Sequence, residues 1–329
     1  MAHATVTASD TRTPARHWAA RPRNGGTLVL AAIVALAPLV LRNNYAYDVA
    51  TQVALNAIVC VGLNLLIGYA GQISLGHAGF FALGGYGSAI LATRYGVPVW
   101  VSLPLACALV GLLAFVIGRP TLRLKGHTLA MATLGLGIII SIVLSTEDRW
   151  TGGPDGMSVP PLVLFGWIVK GERTWYWLAG GALLFAVWLA INLIESPTGR
   201  ALRALHGSEV ASETLGIRSA RYKLQVFVLS AVFAAVAGAL TAHYAGFITP
   251  AKASFMHSVE LVIMVVFGGM ASIFGAVVGA AVLTVLPQLL TVLQDYEMMV
   301  FGAVLVGTMV FFPQGIVPTL ANWWARRWT

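Results

Sequence analysis

Three polar side chains stand inside an otherwise apolar, glycine-rich stretch: Gln72, Ser74 and His77 in GYAGQISLGHAGFFALGGYGSA, residues 68–89, which also holds seven glycines. An amide, a hydroxyl and an imidazole can each donate and accept hydrogen bonds, and in an apolar bundle they must find partners inside it. Two readings stand. One is tight helix packing with internally satisfied hydrogen bonds; the other is an irregular element whose polar groups line a solute path. Ser74 and His77, three apart, are expected on one helical face. A second Gly-rich element, VFGGMASIFGAVVGA at 266–280, carries Gly268, Gly269, Gly275 and Gly279. The Gly275-x-x-x-Gly279 spacing points to a close helix contact, because small apolar residues offer a solute nothing to recognise. No G-x-x-x-x-G-K-[ST], H-E-x-x-H or G-x-S-x-G pattern occurs, so no catalytic residue, metal or cofactor is expected. Cys60 and Cys107 lie in apolar runs and read as small packing residues.

The elements that must hold these residues are set by composition. Of 329 residues, 58% are hydrophobic and only 10% charged, and the mean hydropathy is +0.82. Soluble domains carry about 25% charged residues, so an ordinary soluble enzyme is excluded. Despite the net charge of +8, Lys and Arg fall in short clusters between apolar blocks, so no nucleic-acid partner is expected.

Apolar runs near the length of a membrane crossing occupy 27–41, 46–68, 74–92, 97–118, 127–145, 174–194, 224–246, 258–293 and 298–317. The run 258–293 is far too long for one crossing and must turn back, at Gly268-Gly269 and the small residues after them. Two short spans, or one span and a re-entrant half-helix, fit that length. The expectation is an all-α, polytopic membrane bundle of about ten transmembrane helices with both termini cytosolic. It divides into a basic N-terminal tail (1–25), a transmembrane domain (26–318) containing a cytosolic loop at 195–225, and a C-terminal tail (319–329). With the N-terminus inside, 14 of the 20 Lys and Arg fall on the cytosolic side, as the positive-inside rule requires. Trp100, Trp150, Trp175, Trp177, Trp323 and Trp324 lie at run ends and are expected at the interfaces.

The external loop 146–173 contains the turn-rich TGGPDG, which suits either a docking surface or a plain connection. LGGYGSAILA at 83–92 and FGGMASIFGA at 267–276 share four identities, too few to establish a repeat.

The segment ESPTGRALRALHGSEVASETLGIRSARYKLQ, 195–225, begins a helix at Ser196-Pro197-Thr198 and spaces Leu202, Leu205, Val210, Leu215 and Ile217 near helical period between charges. A short amphipathic helix ending at Gly216 is expected. It either lies on anionic lipid or docks a protein partner.

Within that loop, Glu209-x-Ala211-x-x-x-x-Gly216 resembles the EAA-type coupling loop of ABC importer permeases, with Ser212 where a second Ala is usual. GYAGQISLGHAGFF (68–81), LRLKGHTLAMATLG (122–135), TGGPDGM (151–157), GRALRAL (199–205) and MVVFGGMASIFGAVVGA (264–280) resemble, in order, the LivM-type permease of branched-chain amino acid importers. The resemblance implies a multi-pass protein of the bacterial inner membrane. It also implies a second, LivH-type permease, two cytosolic ATPase subunits, and an extracytoplasmic binding protein that delivers leucine, isoleucine or valine. Arg203, Glu209, Ala211 and Gly216 would then meet the ATPase, while Gln72, Ser74 and His77 would lie on a mostly apolar path without convergent charges. Permeases of urea or short-chain amide importers are closely similar in sequence. A stand-alone secondary transporter is the rival from another class, and it would need ionisable groups inside the bundle.

Overall fold

In a computed structural model, residues 25–41, 43–122, 124, 126–164, 166–290, 302, 306–307 and 315–319 are described. The chain forms α1 (Gly25–Val40), α2 (Asn44–Asn64), α3 (His77–Arg94), α4 (Val99–Thr121), α5 (His127–Thr146), α6 (Asp148–Thr151), α7 (Glu172–Glu195), α8 (Pro197–Gly207), α9 (Glu209–Thr214), α10 (Ser219–Ala245), α11 (Phe255–Gly268) and α12 (Ile273–Leu290). Five spans are long and apolar enough to cross a membrane: Asn44–Tyr69, Val99–Thr121, His127–Thr146, Glu172–Glu195 and Ser219–Ala245. Helices α1, α11 and α12 are shorter apolar helices, and α3 runs for 18 residues. The polytopic helical bundle is therefore present, with nine of the ten expected helices among the described residues. Most of 298–317 and of both tails, including Trp323 and Trp324, lies outside them.

The long run 258–293 breaks as expected, at 269–272. Its first half, α11, has 14 residues and spans about 21 Å, short of a hydrocarbon core of about 30 Å.

Burial separates the centre from the rim. In the most apolar window of α2 78% of residues are buried and in that of α10 61%, against 28% in α5. Helix α10 packs on α3, α4 and α2, while α2 also packs on α7, α11 and α12. The outer faces of α4 and α5 expose Leu109, Leu112, Val116, Ile139 and Ile142, as surfaces turned toward lipid or a partner do.

Two departures from helix matter most. Helix α2 widens into a π-turn at Leu65–Tyr69 and is followed by irregular backbone to Gly76, so the third apolar run begins its helix at His77 and not at 74. The described residues of the 146–173 loop include two short strand pairings. Its β1 (Met157–Ser158) pairs antiparallel with β4 (Phe247–Ile248), and β2 (Val163–Leu164) pairs with β3 (Trp167–Ile168). Trp100, Trp150 and Trp177 are exposed as belt residues should be, but Trp175 is buried, its ring 5.3 Å from that of Tyr244. The alike segments 83–92 and 267–276 differ in structure, one lying inside α3 and the other across the break before α12.

Candidate functional site

The 195–225 segment builds two helices in place of the single one expected, because Ser208 interrupts the first and caps the second. Ser196 caps α8 by accepting from the Gly199 amide at 3.4 Å, with Pro197 in the first turn, and Ser208 caps α9 by accepting from the Ala211 amide at 3.3 Å. Leu202 and Leu205 are buried against the bundle. Val210 and Leu215 are 72% and 81% exposed, so only part of the expected apolar stripe faces inward. Arg203, Ala211 and Gly216 are also exposed. Gly216 has φ +81 and closes α9, with the Ile217 amide donating to the Ser212 carbonyl at 3.1 Å. Glu209 is half-buried, and its Oε1 lies 2.9 Å from Lys223 Nζ at the start of α10.

The element sits against both irregular segments of the bundle. A cleft of about 580 Å³ brings Arg203 and His206 beside Gly68, Met270 and Ser272. A second, of about 350 Å³, brings His206, Glu209 and Lys223 beside Gln72.

Sequence spacing suggested Ser74 and His77 on one helical face; they do meet, but Ser74 precedes the helix. His77 is buried, with Nδ1 2.9 Å from Ser74 Oγ and Nε2 2.7 Å from Ser230 Oγ on α10. Both ring nitrogens are thereby occupied, and the residue braces 70–76 against α10. The Leu75 amide donates to Thr133 Oγ1 at 3.2 Å, tying the same segment to α5. Gln72 is 3% exposed, and neither its Oε1 nor its Nε2 has a hydrogen-bond partner.

The glycines at the second break form the α11–α12 contact. A Cβ on Gly279 would stand 2.0 Å from the Met264 carbonyl oxygen, and one on Gly268 would stand 1.9 Å from that of Gly275. The backbones touch, so no side chain fits between them. Gly269, with φ +121, ends α11.

At the opposite end of α2 from Gln72 lies a cavity of about 590 Å³ that sequence reasoning missed. Asp48, Gln52 and Asn56 line it from α2, Glu172 from α7, Tyr244 from α10, Lys252 and Glu260 from the chain around α11, and Thr284 from α12. The Tyr244 hydroxyl contacts Asp48 Oδ1 and Glu172 Oε2, Gln52 Nε2 donates to Asp48 Oδ2 at 3.0 Å, and Asn56 Nδ2 donates to Thr284 Oγ1 at 3.0 Å. The expectation of no convergent charges fails at this end of the bundle. The signal was present in the sequence: 48, 52 and 56 recur every four residues, one polar stripe along the most buried span.

Five long apolar helices, with shorter apolar ones packed among them, define a multi-pass helical membrane protein. The sequence matches the family described as branched-chain amino acid transport system / permease component over residues 45–309. It is 34% identical over 295 residues to the high-affinity branched-chain amino acid transport system permease protein LivM of Salmonella typhimurium, covering 82% of this chain and 69% of that protein. It is 28% identical over 211 residues to the LivH permease protein of the same organism, covering 60% and 66%. It is 31% identical over 225 residues to the autoinducer 2 import system permease protein LsrC of Shigella flexneri, covering 64% of each. No solved structure matches. The chain belongs to the branched-chain amino acid transport system permease family.

Proposed function

We propose that this chain is the membrane permease subunit of an ABC importer that carries leucine, isoleucine and valine inward across the bacterial inner membrane, driven by ATP hydrolysis on separate subunits. Its partners in this reading are a LivH-type permease, two cytosolic ATPases and an extracytoplasmic binding protein. The observation that carries it is the two-ended layout of α2. A polar cavity opens at its N-terminal end, and an exposed helix pair, α8–α9, abuts the unwound 70–76 segment at its C-terminal end. Arg203, Glu209, Ala211 and Gly216 take the ATPase contact, aided by the exposed apolar side chains of Val210 and Leu215. Closure of the ATPase dimer then moves α8–α9 against Gln72, whose amide is free to take new partners. Ser74 and His77 carry the motion into α3 and α10.

A stand-alone ion-coupled transporter is the second reading, because Asp48, Glu172 and Glu260 supply ionisable groups at the cavity. The test is uptake of labelled leucine and urea, in competition, by a deletion strain carrying the complete system with its own or an exchanged binding protein. ATPase-dependent leucine uptake, with preference following the binding protein, supports the proposal. Better uptake of urea, preference that stays with the permease, or uptake driven by an ion gradient without the ATPases overturns it.

A further inference from the structure

The 590 Å³ cavity at the outer end of α2 combines three kinds of wall. On one side the Tyr244 hydroxyl stands between Asp48 and Glu172. A phenol has one proton to donate, so this trio of oxygens is a donor short, and among the described residues no Lys, Arg or His forms an ion pair with either carboxylate. Elsewhere on the lining, Lys252 supplies a cation, and His257 has a buried Nε2 with no hydrogen-bond partner while its Nδ1 lies 3.3 Å from Glu260. Leu55, Phe81 and Leu283 supply an apolar wall. The volume is within the range of small-molecule sites, about 300–1,000 Å³.

We infer that this cavity is a binding station for a small zwitterion on its way inward, with Asp48, Glu172 and Tyr244 receiving an ammonium group, Lys252 receiving a carboxylate and the Leu55–Phe81–Leu283 wall taking an apolar side chain. An ammonium brings three N–H donors to Asp48 Oδ1 and Glu172 Oε2, which share the one phenolic proton of Tyr244, while Asp48 Oδ2 already accepts from Gln52. A metal ion would satisfy the carboxylates but has no use for the neighbouring cation or the apolar wall, whereas an amino acid uses all three. The inference rests on the proposed function for the solute's identity. It adds a filter for the ammonium group within the permease and leaves choice among side chains to the binding protein.

Two measurements on the complete reconstituted transporter test it. The first is leucine uptake with saturating leucine-loaded binding protein, with assembly of each variant complex checked by size-exclusion chromatography. Asp48→Asn and Glu172→Gln are expected to lower the rate by about tenfold or more, as loss of a charge-assisted hydrogen bond implies, and wild-type rates in both overturn the inference. The second is modification of a Gln52→Cys variant by the cationic aminoethyl and the anionic sulfonatoethyl methanethiosulfonates. Their rate ratio at 52 is expected to exceed that at an exposed Asp155→Cys control by about tenfold, a factor worth about 1.4 kcal/mol. It should fall to the control value once Asp48→Asn and Glu172→Gln are added, and leucine-loaded binding protein should protect the site. Equal ratios at the two positions, or protection by sodium alone, overturn the inference. If the wild-type complex takes up no leucine, the proposed function fails, while the reagent ratio still reports whether the cavity attracts a cation.

Discussion

Asn64, at the end of α2, grips the turn at Ala271 from both sides: its Oδ1 accepts from the Ala271 amide at 3.0 Å, and its Nδ2 donates to the Ser272 carbonyl at 2.6 Å. The two residues are 207 apart in sequence, so one buried amide joins the two places where the helical bundle unwinds. Ala271 is the one described non-glycine residue with positive φ, at 59, a conformation that costs an L-residue about 1–2 kcal/mol. The clamp holds the chain in that conformation.

Asn64→Ala is expected to destabilise the permease by about 1–3 kcal/mol, because it removes two part-buried hydrogen bonds worth about 0.5–1.5 kcal/mol each. Asn64→Asp keeps the acceptor for the Ala271 amide but sets a second oxygen against the Ser272 carbonyl at a buried position, so it should destabilise at least as much. Ala271→Gly should act in the other direction, by up to about 1 kcal/mol, through relief of the positive φ. Thermal unfolding of the purified permease in detergent measures all three. An Asn64→Ala protein as stable as wild type would show that the clamp is dispensable.

Glu209 and Lys223 form a partly buried pair with side-chain exposures of 22% and 11%. Such a pair lies between surface bridges, worth about 0.2–1 kcal/mol, and fully buried ones, whose rupture costs about 3–5 kcal/mol. Glu209→Lys places two cations together and should stop uptake. The exchanged pair Glu209→Lys with Lys223→Glu distinguishes two roles for the carboxylate. If Glu209 only anchors α9 to α10, the double variant regains most transport. If Glu209 also meets an ATPase groove, folding recovers but uptake does not, and the second outcome is expected.

The parts of this architecture visible in the sequence are those set by local composition and length. A largely apolar run of 36 residues cannot cross once, so the break at 269–272 could be placed near Gly268-Gly269 from sequence. Ser196-Pro197 announces α8, and Gly216 announces the end of α9, because capping chemistry is written within four residues. What stayed hidden depends on hydrogen-bond registry or distant contacts. The π-turn at Leu65–Tyr69 leaves Ser74 outside the helix, although the run 74–92 reads as one continuous span. Trp175 stands at a run end like its neighbours yet turns inward onto Tyr244. Asp48, Glu172 and Tyr244 come from three helices, with Asp48 and Tyr244 196 residues apart, and no local pattern joins them. Only the stripe at 48, 52 and 56 hinted that one face of α2 was reserved for polar contacts.

Gly216 separates conformational cost from surface contact. Its φ of +81 penalises any side chain, but an added Cβ would meet nothing within 4 Å. Gly216→Ala should therefore cost about 1–2 kcal/mol of local stability and little transport. Gly216→Trp carries the same backbone penalty and also projects a large ring from the exposed element, so uptake should be lost while the permease remains folded and inserted. Comparing uptake with co-purification of the ATPase subunits resolves the two. Equal transport by the Ala and Trp variants would remove α8–α9 as a docking element.

Topology gives the last prediction. With the N-terminus inside, 14 of 20 basic residues fall on the cytosolic side, which predicts the 146–173 loop outside and the 195–225 loop inside, and both loops offer exposed labelling positions. Asp155 and Arg173 are exposed in and beside the 146–173 loop, and Ser208 is exposed between α8 and α9. Cys60 and Cys107 are buried, so their replacement by Ala removes background thiols with only modest changes in volume. On that background, Asp155→Cys and Arg173→Cys are expected to react with an impermeant maleimide in intact spheroplasts. Ser208→Cys should react only after the membrane is opened. Reaction of the residue 208 thiol from outside would invert the bundle. It would also remove α8–α9 from reach of a cytosolic ATPase and move the Asp48–Tyr244–Glu172 cavity to the inner face.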